Sequence, residues 1–344
     1  MKETIEKIAG RKIRNVVKLH GDASYREYFR AFLDDGTTRI IMQMPKGRSS
    51  VSEEITNFKG VHKEIPFVNI DRFLASLGLP VPKIERYDEA ARVMVLEDLG
   101  DSLLAGCVKD ADRGACEKWY KKAIDLLVNL QKKTFGIKDE AECVALQRSF
   151  DPYLLNWEFD HFREYLVEAR LGREMEEEDR ELFEKETRKI TDEITKIPYC
   201  FTHRDFQSRN LIVRDNGELS LIDFQDALMG PCIYDLVALL RDSYVELEWG
   251  MVEGLAEYYS ENGLFKSGSK AVQKWFNLVT LQRKMKDAGR FIYIDRVKKN
   301  PNFLQYIPTT LRYIKNALEE TYALTHLNTY ALCEALKKYV PEWN

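Results

Sequence analysis

The sequence has little that would staple a small protein together. Its six cysteines (107, 116, 143, 200, 232 and 333) are scattered, and no C-x-x-C pair occurs. That spacing excludes a zinc ribbon or a disulfide framework and suits a reducing cytoplasm. A charge excess of one sign is also missing: 52 Lys and Arg stand against 56 Asp and Glu, a net of −4. Nucleic acid is therefore a poor partner. No apolar run approaches the ~18 residues of a membrane span. The opening "MKETIEKIAGRKIR" is charged throughout, so no secretory leader is expected there. Internal repeats and low-complexity linkers are lacking as well. The acidic cluster "EMEEEDRE" (174–181) reads as the solvated start of a helix.

What is present is a chain of 344 residues, 44% hydrophobic and 31% charged. That is enough for two lobes, each with its own core. The first hundred residues read mostly as strand. "REYFRAFL" (26–33) and "TRIIMQM" (38–44) flank the turn "DDGT", and "KIERY" (83–87) and "RVMVLE" (92–97) flank "DEAA". Between the pairs lies one helix, opened by Pro66, with Phe67, Ile70, Phe73, Leu74 and Leu77 on one face and Gly78 at its end. Past "EDLGDSLL" the pattern turns to long helices, over 119–131, 153–170, 232–247, 271–290 and 308–340. The expected fold class is α+β: an N-terminal lobe (1–97) made of a small antiparallel sheet and one helix, and a larger, mainly helical C-terminal lobe (98–344). The boundary falls near Glu97–Gly100.

One stretch of the helical half is not helical. "NLIVRDNGELSLIDF" reads as strand, turn and strand, with Asn216-Gly217 as the turn and Leu211/Val213 and Leu219/Leu221 alternating. The polar run "THRDFQSRN" stands before the first strand, and "LIDFQDA" closes the second. Folding the hairpin back brings Asp205, Asn210 and Asp223 to one end of it. Two carboxylates and an amide oxygen are the hard donors that magnesium prefers. Phosphoryl transfer needs both a metal at the phosphates and a carboxylate to receive the proton of the attacking hydroxyl.

The order H-x-D-x-x-x-x-N, hairpin, D-F resembles that of the protein-kinase-like superfamily. The resemblance implies a bilobal protein-kinase-like fold with ATP and Mg²⁺ as cofactors. It makes Asp205 the catalytic base and gives the metal to Asn210 and Asp223, while His203 and Arg204 brace the loop. Protein kinases carry a lysine two residues after the catalytic aspartate; here Gln207 stands there. Only seven residues, 224–230, separate Asp223 from Pro231, too few for a peptide-binding platform. "GPCIYDLVALLRD" is similar instead to the aminoglycoside and choline phosphotransferase branch, in which Asp235 would tie down the catalytic loop. The blocks "LHGDASYREYFR" (19–30), "PFVNIDRFLASLGLPVPKI" (66–84), "VLEDLGD" (95–101), "HRDFQSRNLIV" (203–213), "LIDFQDALMGPCIYDLVALLRDSY" (221–244) and "LQRKMKDAGRF" (281–291) span nearly the whole chain. They resemble the bacterial anomeric sugar kinases of cell-wall recycling, which phosphorylate C1 of N-acetylmuramate and N-acetylglucosamine. The implied product would pass to a sugar-1-phosphate uridylyltransferase.

Two kinase parts are missing. There is no G-x-G-x-x-G, so Gly21, Ala23 and Ser24 would have to cover the phosphates through backbone N–H groups. Arg26 would add charge there or stand as a surface strand residue. The third strand, "IIMQMP", puts Gln43 or Met44 where a lysine is expected. The junction "LEDLG" offers backbone groups of Glu97 and Leu99 to an adenine. For the sugar, the candidates are Glu158, His161, Asp226, Arg241 and Arg283, with Asn156, Asp160 and Gln282 as further polar groups on those helices. Two competing readings are an aminoglycoside or choline-type kinase and a catalytically silent binding module of the same fold.

Overall fold

The computed structural model describes residues 6, 10–19, 26–44, 64–137 and 142–344. Five strands form the N-terminal sheet: β1 (Ile13–Leu19), β2 (Glu27–Leu33), β3 (Thr38–Gln43), β4 (Ile84–Asp88) and β5 (Val93–Glu97). They lie in the order β1-β2-β3-β5-β4, and every neighbouring pair is antiparallel. The two expected hairpins form within a residue of the predicted ends. β1 is an addition; Arg14 and Lys18 interrupt its valines and hide the alternation expected of a strand.

The register puts Tyr28, Met42 and Met94 in one row and Arg30, Ile40 and Leu96 in the next. Met42, Met94 and Leu96 face helix α1 (Pro66–Ser76), packing with its Phe67, Ile70, Phe73 and Leu74 in the main core. The other face carries Phe29, Ala31, Leu33, Ile41, Val93 and Val95, a separate small core closed by Ile13. The helix ends as its sequence predicts: Gly78 takes φ +65°, and the N–H groups of Gly78 and Leu79 turn back to Ala75 and Leu74.

The remainder comprises α2 (Leu104–Lys109), α3 (Arg113–Thr134), α4 (Pro152–His161), α5 (Glu177–Ile194), α6 (Tyr234–Leu240), α7 (Trp249–Asn262), α8 (Ser269–Arg296), α9 (Ile307–Leu324) and α10 (Thr329–Lys337). Four short strands sit among them: β6 (Tyr199–Thr202), β7 (Leu211–Val213), β8 (Leu219–Leu221) and β9 (Leu228–Pro231). This is the two-lobed α+β architecture expected of a protein-kinase-like chain.

Three helices depart from the sequence reading. The span 153–170 is helical throughout, but widens into π-helical turns over Phe162–Ala169. That is where α8 approaches: a Cβ on Gly289 would lie 2.5 Å from the His161 carbonyl oxygen and 2.9 Å from Phe162 Cα, so only glycine lets the two backbones meet. The helix expected over 232–247 stops at Leu240, and the chain after it turns to deliver the carboxylate of Asp242 to a loop described below. The span 308–340 is two helices, because Thr325 is extended and Asn328 caps a new start through the N–H of Ala331. β6, β9 and α7 have no counterpart in the sequence reading.

Candidate active site

The loop 203–210 joins β6 to β7. Pairing of Leu211 with Leu221 in the β7–β8 hairpin sets Asn210 beside Ile222, whose N–H donates to the Asn210 carbonyl at 3.1 Å. Asp223 follows at once. The Asp205 carbonyl accepts the side-chain N–H of Asn210 (2.8 Å) and the backbone N–H of Gln207 (2.8 Å). The hairpin mouth therefore holds Asp205, Asn210 and Asp223 together. Two non-glycine residues here have left-handed backbones, Arg204 (φ +78°) and Asp223 (φ +65°). Such conformations cost on the order of 1 kcal/mol or more and persist where the surroundings impose them. Phe224 supplies part of that restraint; it is buried, with its ring 5.1 Å from Phe67 of α1.

Behind the loop is a buried polar scaffold. Asp235 of α6 accepts the backbone N–H groups of His203 (2.6 Å) and Arg204 (2.9 Å), so it ties the loop down as its motif implied. Burial pushes its carboxyl up to about 7, against the pull of those two N–H bonds and of Arg283. Asp242 accepts the N–H of Ser208 at 2.9 Å and its hydroxyl as well. His203 bonds the Ile222 carbonyl (3.0 Å), and burial holds its imidazole down to about 4, so it is neutral and braces the loop. Arg204 pairs with Glu158 at 2.9 Å, both fully buried, and Gln282 donates to the other Glu158 oxygen.

The sugar candidates take other places. Arg283 has no exposed side-chain surface; it donates to the Arg204 carbonyl and lies 3.2 Å from the Asp205 carboxylate. Burial alone would weaken its charge, but Asp287, Tyr234 and Asp205 raise its pKa well above the ordinary value. It is a support for Asp205 from behind. Glu158 is equally enclosed. Arg241 is wrapped by the rings of Trp249 (4.4 Å), Phe276 (5.4 Å) and Tyr313 (5.2 Å), a packing role. His161 stacks among Trp157, Tyr165 and Tyr293. Asp226 stays near the site, sharing the Gln225 amide with Asp223 (3.1 and 3.0 Å). Asn156 bonds Thr191, and Asp160 lies 3.7 Å from Arg163.

On the open side of the loop the structure adds residues that the sequence reading did not single out. Arg209 stacks on Tyr244, 4.0 Å from its centroid, and hydrogen-bonds the Tyr306 hydroxyl. The Tyr244 hydroxyl is pushed up by burial and by the charges of Asp242, Asp287 and Asp205, which sets this cluster near Asp205. The only sequence signal was Arg209 inside the motif; Tyr244 and Tyr306 come from segments 62 residues apart.

Across the cleft, Arg26 Nη1 lies 3.9 Å from Asp223 Oδ1. Gln43 is turned away: its amide faces the carbonyls of Ala91 (3.3 Å) and Arg92 (3.2 Å), and it shares the sheet face of Ile41. Met44 is buried in the main core. Gly21, Ala23 and Ser24 lie outside the described residues. At the junction, Glu97 ends β5 opposite Arg39 and its carboxylate lies 3.2 Å from Arg214, while Leu99 precedes Gly100, whose φ is +89°. Asp223 keeps 46% of its side-chain surface open, yet its carboxyl is pushed up, first by the protein packed around it and then by the charge of Asp205. Two carboxylates at one mouth, with an amide oxygen nearby, suit a hard divalent cation.

A family model described as "Phosphotransferase enzyme family" matches residues 15–268. The N-acetylmuramate/N-acetylglucosamine kinase of Neisseria meningitidis serogroup B is 30% identical, over 86% of this chain and 83% of that protein. The protein of the same name from Pseudomonas putida is 28% identical, over 86% and 81%. Among solved structures, choline kinase LicA from Streptococcus pneumoniae superimposes with a TM-score of 0.62 at 16% identity, covering 94% of this chain and 97% of that one. The gentamicin–APH(2'')-IIa complex gives 0.61 at 16%, covering 90% and 94%.

Proposed function

Because the chain belongs to the phosphotransferase enzyme family, we propose that it uses ATP and Mg²⁺ to phosphorylate the anomeric C1 hydroxyl of an N-acetylated amino sugar, N-acetylmuramate or N-acetylglucosamine. The observation that carries this reading is the meeting of Asp205, Asn210 and Asp223 at one hairpin mouth, in a chain whose curated relatives are N-acetylmuramate/N-acetylglucosamine kinases. The reaction belongs to cell-wall recycling in the cytoplasm, with the sugar 1-phosphate passing to a uridylyltransferase.

Asp205 takes the proton of the attacking hydroxyl; Asn210 and Gln207 hold its carbonyl, and Arg283 holds its carboxylate and the preceding Arg204 carbonyl, so that little rearrangement precedes the reaction. Asn210 and Asp223 would hold the magnesium, which neutralises the charge of the triphosphate when bound. Adenine is placed against the backbone of Glu97 and Leu99. The acceptor sugar lies beside Arg209, Tyr244 and Tyr306. A cation backed by rings there suits a neutral or anionic sugar better than a polycationic aminoglycoside.

The C1 hydroxyl of a reducing sugar is more acidic than an ordinary alcohol, because the ring oxygen withdraws electrons. The test is incubation with ATP, Mg²⁺ and a panel of sugars, with products read by phosphorus and proton NMR. N-acetylmuramate or N-acetylglucosamine should give a C1 phosphate, and a methyl glycoside blocked at C1 should be inert. A C6 phosphate, or turnover of the blocked sugar near the rate of the free one, rejects the anomeric assignment. Preference for an aminoglycoside would replace the sugar reading.

A further inference from the structure

A kinase must meet the phosphates of its nucleotide with a fixed cation, and in the kinase fold a lysine on the third strand provides it. This chain has none in that place. The β3 side chains on the cleft face are Met42 and Met44, both buried in apolar surroundings. Gln43 points to the opposite face and is taken up by backbone carbonyls. Nor is there an acid on α1 with a lysine to hold: Asp71 is buried, and its Oδ2 has no hydrogen-bond partner. Among the described residues, β3 and α1 hold no such lysine–acid pair.

The neighbouring strand offers a replacement. Arg26 immediately precedes β2, two residues before Tyr28. Tyr28 pairs with Met42 in the sheet, so Arg26 projects from the same, cleft-facing side. Its side chain is only 10% exposed, and its guanidinium reaches the other lobe, 3.9 Å from Asp223 Oδ1. It is hydrogen-bonded to Tyr28 and feels the charges of Asp223 and Asp226. A separation of 3.9 Å exceeds a direct hydrogen bond of ~2.7–3.2 Å, so the pair is attracted without being locked. A planar guanidinium presents parallel N–H donors that match two oxygens of a phosphate, which an ammonium cannot do.

We propose that Arg26 is the triphosphate-binding cation of this protein, delivered from the start of β2 in place of the absent β3 lysine. On nucleotide binding it turns from Asp223 to the outer phosphates and leaves that carboxylate to the metal. The inference rests on the kinase reading above, and the test separates the two. Nucleotide affinity is measured by fluorescence titration in the presence of Mg²⁺, for ATP, ADP and AMP, on the wild type and on Arg26→Ala and Arg26→Lys. Arg26→Ala should weaken ATP and ADP on the order of 10- to 100-fold, the worth of charge-assisted hydrogen bonds, and leave AMP within about twofold. Arg26→Lys should recover part of that loss, since it restores charge without the fork. Unchanged ATP affinity in Arg26→Ala overturns the proposal. An equal loss of ATP and AMP also overturns it, because that result makes Arg26 a builder of the lobe. Wild-type protein that binds no ATP overturns the kinase reading itself.

Discussion

Asp205 is the proposed proton acceptor, and its carbonyl, bonded twice at 2.8 Å, is held more closely than its carboxylate, 3.2 Å from Arg283. Its carbonyl is held from two sides, while a third of its side-chain surface (34%) stays open to the cleft. Asp205→Asn keeps the shape and removes the proton acceptor. The expected outcome is a kcat lower by ~10²–10⁴-fold with nearly unchanged ATP affinity, checked by steady-state rates alongside nucleotide titration. A kcat close to wild type would take the base assignment away from Asp205. That the three residues meet at the hairpin mouth was legible from their spacing around a short hairpin, but the turn is not the expected Asn216-Gly217: it centres on Asp215 and Asn216, with the Gly217 N–H donating to the Arg214 carbonyl and Gly217 left-handed at φ +76°. Arg283 was misplaced for a physical reason: a cation in an apolar helix stripe shows that it has a buried partner but not which one. Its partners are the Arg204 carbonyl and the Asp205 carboxylate. The ring-backed Arg209 could not be read either, since stacking depends on contacts between segments far apart in the chain.

At the scale of single elements, periodicity located the long helices but not all their ends: the helix expected from 119 starts at Arg113, capped by Asp112. α1 matches its predicted stripe and its glycine end. α6 stops early because Asp242 is needed at Ser208, a tertiary demand that no helix propensity reports. α1 also carries a cost. Asp71 is 2% exposed, and burial pushes its carboxyl up to about 7, whereas an aspartate in the unfolded chain titrates near ~3.9. The folded protein therefore holds a proton that the unfolded chain has released. The contribution of this one group to stability is greatest below about pH 4, declines as pH rises toward about 7, and bears the full penalty above that. Asp71→Asn removes the charge at constant shape. It should stabilise the protein at pH 8 by as much as ~2–4 kcal/mol and by little at pH 4, read from urea unfolding at both values. An equal effect at the two pH values would show that the carboxyl titrates normally in the folded state.

Across the whole molecule, the sheet is fastened to the junction by one arginine. Arg30 of β2, 15% exposed, takes Asp98 (2.6 and 3.1 Å) and Asp101 (2.5 and 2.8 Å) in two forked pairs. The bonds pull the pKa of both carboxyls below the usual range, even though burial opposes this at Asp98. Arg30→Ala leaves a largely buried acid without its cation, a loss that typically costs ~3–5 kcal/mol. The expected result is a lower unfolding midpoint and a raised KM for ATP, because Glu97 and Leu99 sit on the segment that loses its anchor. Thermal unfolding and steady-state kinetics on the same sample check both.

The run after Asp223 has a different consequence. Thr202 pairs with Leu228 and Phe201 with Met229, so the chain enters β9 four residues beyond the Asp223–Phe224 step. In protein kinases the corresponding stretch is long enough to be ordered or released, and that is how many of them are switched on and off. Here the stretch is a turn clasped by Arg148, which holds the carbonyls of Gln225 and Ala227 at 2.6 and 2.7 Å. A modification would find no slack there to pull on.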